Sequence, residues 1–239
     1  MPRQPTDATP AASPDRLPFP AEELLASIES IAYLADEAGI ILAISRGPFL
    51  LQNEDPLTPW DRHAAIGANL FDIVQGADVR GAYRTLHRAV WEGQLPTYGF
   101  EYRCDAPAIE RRMRMSLSLV RSAGQSFAVL YHSIVISETP RVPLPLFAFG
   151  ARPDRARPRH GPVVTLCSYC QRVAWPPASA PEERAWIEAA EFYRRGGRED
   201  AIVSHGLCDD CFQRVVEPAT RDVEPRKPRK AATPRRRPA

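Results

Sequence analysis

Glycine is scarce in this 239-residue sequence: 13 glycines stand against 25 prolines, and the prolines cluster. Long apolar runs are missing as well. The longest, Ile40 to Ile44 and Leu144 to Gly150, fall far short of the ~20 residues that a membrane-crossing helix needs. The first twenty residues, MPRQPTDATPAASPDRLPFP, lack the apolar core of a secretory signal. These absences predict a cytoplasmic protein with no membrane partner. Cysteine is limited to five residues. In a reducing compartment, paired cysteines point to metal ligands or redox thiols before structural disulfides. No P-loop, G-x-S-x-G or kinase signature occurs, and no nucleophile, base and orienting acid can be assembled in the first half. The expectation is a protein without catalytic activity. A net charge of +2 says little about partners, but the charge is uneven, because the last stretch is strongly basic.

The prolines divide the chain. Residues 1–20 hold six of them with little apolar content, which predicts disorder. Residues 140–162 hold six more with arginines between them and read as a linker, with Leu146, Phe147 and Phe149 available to pin it to a domain surface. Residues 217–239 form a basic, proline-broken tail that cannot build a core. Two folded blocks remain, 21–139 and 163–216, each expected to be independent, and there is no internal repeat.

In the first block Leu24, Leu25, Ile28 and Ile31 fall at helical spacing after Pro20, with Glu22 and Glu23 suited to a first turn. Two short apolar runs follow, Ile31 to Leu34 and Ile40 to Ile44, separated by Asp36-Glu37-Ala38-Gly39, a hairpin signal. Ala77 to Trp91 puts Val79, Tyr83, Leu86 and Val90 on one helical face and Arg80, Arg84 and Arg88 on the other. The period then changes to two. Tyr98, Phe100, Tyr102 and Cys104 alternate with polar residues, as do Met113, Met115, Leu117 and Leu119, and Phe127 to Ile136 is apolar on both faces, as in a central strand. Two strands, helices and three strands fit a five-stranded antiparallel sheet with helices on one face, an α+β fold.

With DEAGIILAIS as the first hairpin, IGANLFDIV before the long helix and three closing strands, residues 31–138 resemble the PAS sensory domain. The resemblance implies a sheet and helices that enclose a small ligand or pack against a partner; the ligand is unknown. The flavin photoreceptor branch carries a reactive cysteine after a Gly-x-Asn turn. Here Gly67-Ala68-Asn69 is followed by Leu70, which speaks against flavin–thiol chemistry. Haem-binding members use a histidine on the long helix, which makes His87 the one cofactor candidate; the plainer reading is a boundary histidine half in solvent. His132 reads as a core or interface residue, and Cys104 as a buried, inert thiol.

The second block opens with strand-like Val163 to Leu166 and then Cys167-Ser168-Tyr169-Cys170, and closes with Ser204-His205-Gly206-Leu207-Cys208-Asp209-Asp210-Cys211. Two residues between thiols let both sulfurs point into one tight turn. Two such turns make a tetrahedral thiolate set that suits zinc, with iron also admitted. His205 is an alternative ligand, or a hydrogen-bonding neighbour of a site already filled by four cysteines. A helix is expected between the pairs, from Pro181, Glu182 and Glu183 through Trp186, Ala189, Ala190 and Tyr193 to Arg194 and Arg195, stopped by Gly196-Gly197. Fifty residues bury little core, so a metal would supply the missing stability. The pattern CSYC, a Trp-Ile-Glu segment and SHGLC-x-x-C resembles a zinc-ribbon-like module at the end of bacterial signalling proteins. A thioredoxin-like redox pair is the rival reading; it would place one CxxC at a strand-to-helix junction.

The tail holds eight Lys or Arg against three acidic residues and no aromatic residue. It reads as a solvated tail or as a nucleic-acid contact through phosphate neutralisation without base stacking. The stripe of Leu24, Leu25 and Ile28 must be covered, either by the protein's own sheet or by a second copy; the expectation is a two-fold homodimer. The whole predicts a bacterial, non-catalytic signalling protein with a PAS-like domain, a zinc module and an unknown signalling partner. The alternatives are a DNA-binding regulator and a CxxC redox protein.

Overall fold

The computed structural model describes residues 21–45, 65–122, 125–148, 161–177 and 184–221. The N-terminal stretch 1–20, Phe149, the linker residues Arg152, Arg155, Arg157 and Arg159, Pro181 to Glu183 and most of the basic tail lie outside the described residues.

The first block is an α+β sandwich of the expected PAS-like class. A short helix α1 (Ala21–Ala26) leads into β1 (Ile31–Ala35) and β2 (Ile41–Ile44); helices α2 (Leu70–Ile73) and α3 (Ala77–Trp91) follow. The chain then closes the sheet with β3 (Thr97–Arg103), β4 (Ile109–Ser122) and β5 (Gln125–Pro140), in the order β2-β1-β5-β4-β3. All neighbouring pairs are antiparallel. The first hairpin forms because Asp36 Oδ1 accepts from the Ala38 and Ile40 N–H groups while Gly39 takes φ +85°, a conformation that disfavours a side chain. Asn69 caps α2 by accepting from the Phe71 N–H.

Alternation sorts the sheet faces. Tyr33, Phe100, Met115, Leu117, Val129 and Tyr131 face α2 and α3 and meet Leu70, Phe71, Leu86 and Val90. On the other face Ala32, Leu34, Leu42, Ala43 and Ala128 pack with Ala21 and Leu25 of α1. The apolar stripe of α1 is therefore covered by the protein's own sheet. Leu25 is fully buried, Ile28 packs beside it, and Leu24 is 55 % exposed. The dimer expected from that stripe loses Leu25 as its contact, because one short helix cannot bury the same side chain twice. Leu25→Ala should destabilise the protein by about 2–5 kcal/mol, while Leu24→Ala should change it by less than about 0.5 kcal/mol. Urea denaturation of the two variants checks the assignment, and equal effects would mean that α1 is not packed as described.

The second block is a four-stranded mixed sheet ordered β8-β7-β6-β9, with β6 (Val163–Cys167), β7 (Val173–Trp175), β8 (Ala185–Ile187) and β9 (Ile202–Gly206). Helix α4 (Ala189–Arg194) packs Ala189 and Phe192 on Val164, Leu166 and Val173. The helix expected to carry Trp186 is thus shorter. Trp186 pairs with Ala174 across β7 and β8, and the helix starts only at Ala189. Pairing with β7 outweighs the weak helical pattern of so short a segment. The linker is also tied down. Pro145–Phe147 forms a single 3₁₀ turn that buries Leu146 and Phe147 in this second core, with the Arg141 guanidinium 4.4 Å over the Phe147 ring.

After Cys208 the chain runs through α5 (Asp209–Cys211), a π-helical turn (Phe212–Val216) and α6 (Glu217–Arg221). The last lies in the stretch read as tail, and its Ala219 is fully buried.

The two blocks share one core. Cys167, Tyr169, Cys208, Cys211, Val215 and Ala219 belong to the same apolar cluster as Leu70, Leu86, Phe100 and Tyr131. This differs from the independent packing expected of two separate blocks.

Candidate metal centre and the seam between the blocks

Strands β6 and β9 are parallel neighbours, with Cys167 opposite Gly206. Parallel strands end on the same side of a sheet, so the turn after β6 and the turn after β9 are delivered to one place. The first turn is closed by the Gln171 N–H donating to the Cys167 carbonyl at 2.9 Å and the Cys167 N–H to Arg172 O at 2.8 Å; Gln171 takes φ +62°. In the second, the Cys208 sulfur accepts from the Cys211 N–H at 3.4 Å, and the Cys167 sulfur accepts from the Cys208 N–H at 3.5 Å.

The sulfurs of Cys167, Cys170, Cys208 and Cys211 all lie within 4.8 Å of one another. Cys167 and Cys208 are 3.6 Å apart, and Cys170 and Cys208 3.7 Å. A tetrahedral thiolate site with bonds of about 2.3 Å has edges of about 3.8 Å, so the donor set fits a single ion of zinc size. Arg214 Nη2 donates to the Cys211 sulfur at 3.3 Å, a charge-assisted contact suited to a thiolate. Four thiols this close share protons unequally. Hydrogen bonds from Cys170, Cys208 and Cys211 push Cys167 down, while the bond to Cys167 pushes Cys170 and Cys211 up. Such a set sheds its remaining protons when a dication occupies it. His205 lies outside the four: its ring sits half-buried on β9, with Nδ1 3.5 Å from Ser168 Oγ, and burial lowers its pKa. Cys104 also stands apart, its pKa raised by burial.

The seam was not legible as a site in the sequence. Tyr169, between the first two cysteines, is 2 % exposed and enters the helix-facing side of the five-stranded sheet. Its ring lies 5.2 Å from Phe100, edge-on, and 6.5 Å from Tyr83, while its carbonyl accepts from the Arg103 N–H at 2.7 Å. Tyr83 in turn stacks on Tyr131, and Tyr131 on Tyr33 at 4.7 Å. Burial is the main cause that raises the pKa of Tyr33, Tyr83, Tyr102, Tyr131 and Tyr169, so their hydroxyls stay protonated. Further contacts close the seam. Tyr98 Oη donates to Val215 O at 2.6 Å, and Arg103 reaches both Asp105 and Glu188. At the start of α3, a Cβ on Gly76 would lie 2.4 Å from the His205 carbonyl, so glycine is needed there for close approach as well as for its φ of +86°.

His87 is a core residue, 3 % exposed, and not the half-solvated one its wheel position suggested. The ring stacks between Trp91 and Tyr131, at 6.3 and 6.0 Å, with Phe71 edge-on, and Nδ1 is 2.9 Å from Tyr131 Oη. An axial-ligand role would require those rings to part. Burial lowers its pKa below the usual 6.5, outweighing the nearby Asp36 and Glu37 carbonyls. The folded protein therefore binds fewer protons here than the unfolded chain. This contribution is intact above the unfolded value and is lost as pH falls through 6.5 toward the folded pKa. Relative to the wild type, His87→Gln should lose less stability between about pH 7.5 and 5.5. Urea midpoints of the two proteins at each pH measure it, and parallel curves would contradict the assignment. His132 lies on the opposite face, with Nε2 2.6 Å from Ser30 Oγ.

The strand order β2-β1-β5-β4-β3, with α2 and α3 on one face, defines the class of the first block, an α+β fold with PAS-like topology joined to a four-cysteine module. No family model and no curated protein matches the chain. Among solved structures, a C-terminal domain from Streptococcus mutans is 13 % identical, with 49 % of this chain and 83 % of that one covered at a TM-score of 0.37. A VqmA dimer of Vibrio cholerae is 11 % identical at a TM-score of 0.34; 48 % of this chain is covered, and the match spans only 49 % of that chain. A PAS domain from a two-component sensor histidine kinase is 18 % identical, with 48 % and 92 % covered at a TM-score of 0.31. No helix among the described residues is long and apolar enough to cross a membrane.

Proposed function

We propose that this chain is a non-catalytic regulatory protein whose PAS-like block is closed by a zinc-held module, and that it acts by changing what it binds. The observation that carries the reading is the position of Tyr169. It stands between two of the four clustered cysteines and is buried against Tyr83 and Phe100 of the other block. Cys167, Cys170, Cys208 and Cys211 would hold the ion, which supplies charge neutralisation and a fixed crosslink between the two turns. Anything that alters the CSYC turn then alters the aromatic core, and anything that enters that core presses on the turn. The mutual closeness of four sulfurs favours metal over a single redox pair.

Elemental analysis and an absorbance spectrum of the purified protein test this together. The expected result is about one zinc per chain and no visible band from haem, flavin or iron. A metal-free protein with a folded second block would overturn it, and reductase activity toward a disulfide substrate would favour the redox alternative. The eight Lys and Arg of residues 217–239 support a second reading, contact with DNA. Its test is a gel shift at two salt concentrations, and retention that is insensitive to salt would exclude the tail as the contact. Homodimerisation is tested by sedimentation of the same sample.

A further inference from the structure

The free edge of the first sheet carries the inference. Strand β3 is the last in the order, and its backbone alternates. The Cys104 N–H bonds to Arg111 O and Pro96 O accepts from the Leu119 N–H, so the even-numbered residues face β4. The odd-numbered residues Thr97, Gly99, Glu101 and Arg103 therefore point their N–H and C=O groups outward. At Arg103 the outward N–H is already taken by the Tyr169 carbonyl, as an added strand would take it. Beyond that bond, Thr97, Gly99 and Glu101 are exposed, with no backbone partner on that side among the described residues. Gly99 and Glu101 border a cleft of about 500 Å³ between β3 and the second block.

The two sides of the cleft differ. Toward the seam it is walled by Tyr169 and Val215. Toward the open sheet face it is basic. Arg103 and Arg172 are engaged by Glu188, and Arg214 by the Cys211 sulfur. Arg112 shares the exposed Glu101, and Arg114 has no carboxylate partner among the described residues. The Arg114 guanidinium lies beside Gly99, with Nη2 3.5 Å from where a Cβ would stand, an ordinary contact distance.

We propose that this edge is a docking site for an extended, acidic segment of a partner protein, which adds to β3 as a sixth strand. Residues of that segment facing the open sheet are acidic and meet Arg112 and Arg114, while alternate residues facing the seam are apolar and meet Tyr169 and Val215. A second copy of this chain is disfavoured as occupant. Antiparallel pairing about Gly99 would bring the arginines of both copies face to face, and like charges across a strand pair are destabilising. The proposal is read from the edge strand and goes beyond the metal-held arrangement, so zinc content measured in parallel separates failure of one from failure of the other.

The test uses the full chain and a fluorescent, end-capped peptide of alternating glutamate and valine, followed by anisotropy. Saturable binding is expected. N-methylation of every second residue of the probe should weaken it by about fivefold or more, through lost strand bonds. Arg114→Glu should weaken it by about tenfold through lost charge-assisted contacts. Gly99→Pro removes one outward N–H at an edge position where proline is tolerated, and should also weaken binding. A lysine–valine peptide should not bind. The proposal is overturned if no saturation is reached at millimolar probe, or if the N-methylated or lysine peptide binds equally well. It is also overturned if a single-stranded oligonucleotide displaces the probe while N-methylation has no effect, which would mark a phosphate-binding cleft instead.

Discussion

Cys208→Ser is expected to abolish binding of the zinc proposed for this site and to unfold the second block. In small modules of this kind, coordination supplies on the order of 10 kcal/mol of folding free energy. Among the described residues the second block has a small core of its own, built from Leu146, Phe147, Val164, Leu166, Val173, Ala189, Phe192 and Ala201. One lost ligand leaves three crowded sulfurs and removes the acceptor of the Cys211 N–H. The shared core carries the consequence further. Tyr169, Val215 and Ala219 leave the cluster they form with Leu86 and Phe100, so the first block should loosen as well. Zinc analysis with hydrogen exchange reads both effects: amides of β6 and β9 lose protection fully and those of β3 partly. Cys104→Ser is the control and should keep the metal, because Cys104 lies outside the cluster. Protected β6 and β9 amides in metal-free Cys208→Ser protein would refute the metal-dependent fold.

Tyr169→Ala should cost about 3–5 kcal/mol, the range for emptying an aromatic-sized site in a core, without directly removing a ligand. The ring fills the space between Tyr83 and Phe100, and the shortened side chain leaves a cavity beside a cleft lined by Ser168 and His205. Tyr169→Phe separates packing from polarity. The buried hydroxyl has no hydrogen-bond partner among the described residues, so its removal should be neutral or stabilising by up to about 1 kcal/mol. Urea denaturation of the three proteins, with zinc content measured in parallel, gives the comparison. A loss for Tyr169→Phe as large as that for Tyr169→Ala would mean that the hydroxyl, and not the ring, holds the blocks together.

By itself the sequence determined the elements whose cause is local or periodic. The hairpin at Asp36 to Gly39, the helix from Ala77 to Trp91 and the alternating strands β3 and β4 follow from turn chemistry and from periods of 3.6 and 2. The four-cysteine cluster was equally legible, since CxxC spacing builds each half of the site within one turn. Three matters were decided only by the tertiary structure. Leu25 found its cover on the protein's own sheet, because a stripe's pattern does not say which surface it meets. Trp186 joined a strand, because pairing with β7 is a contact distant in sequence. Tyr169 crossed from one block into the other: its burial depends on parallel pairing of β6 with β9 and on the seam with β3, and neither contact leaves a period or a motif in the residues that make it.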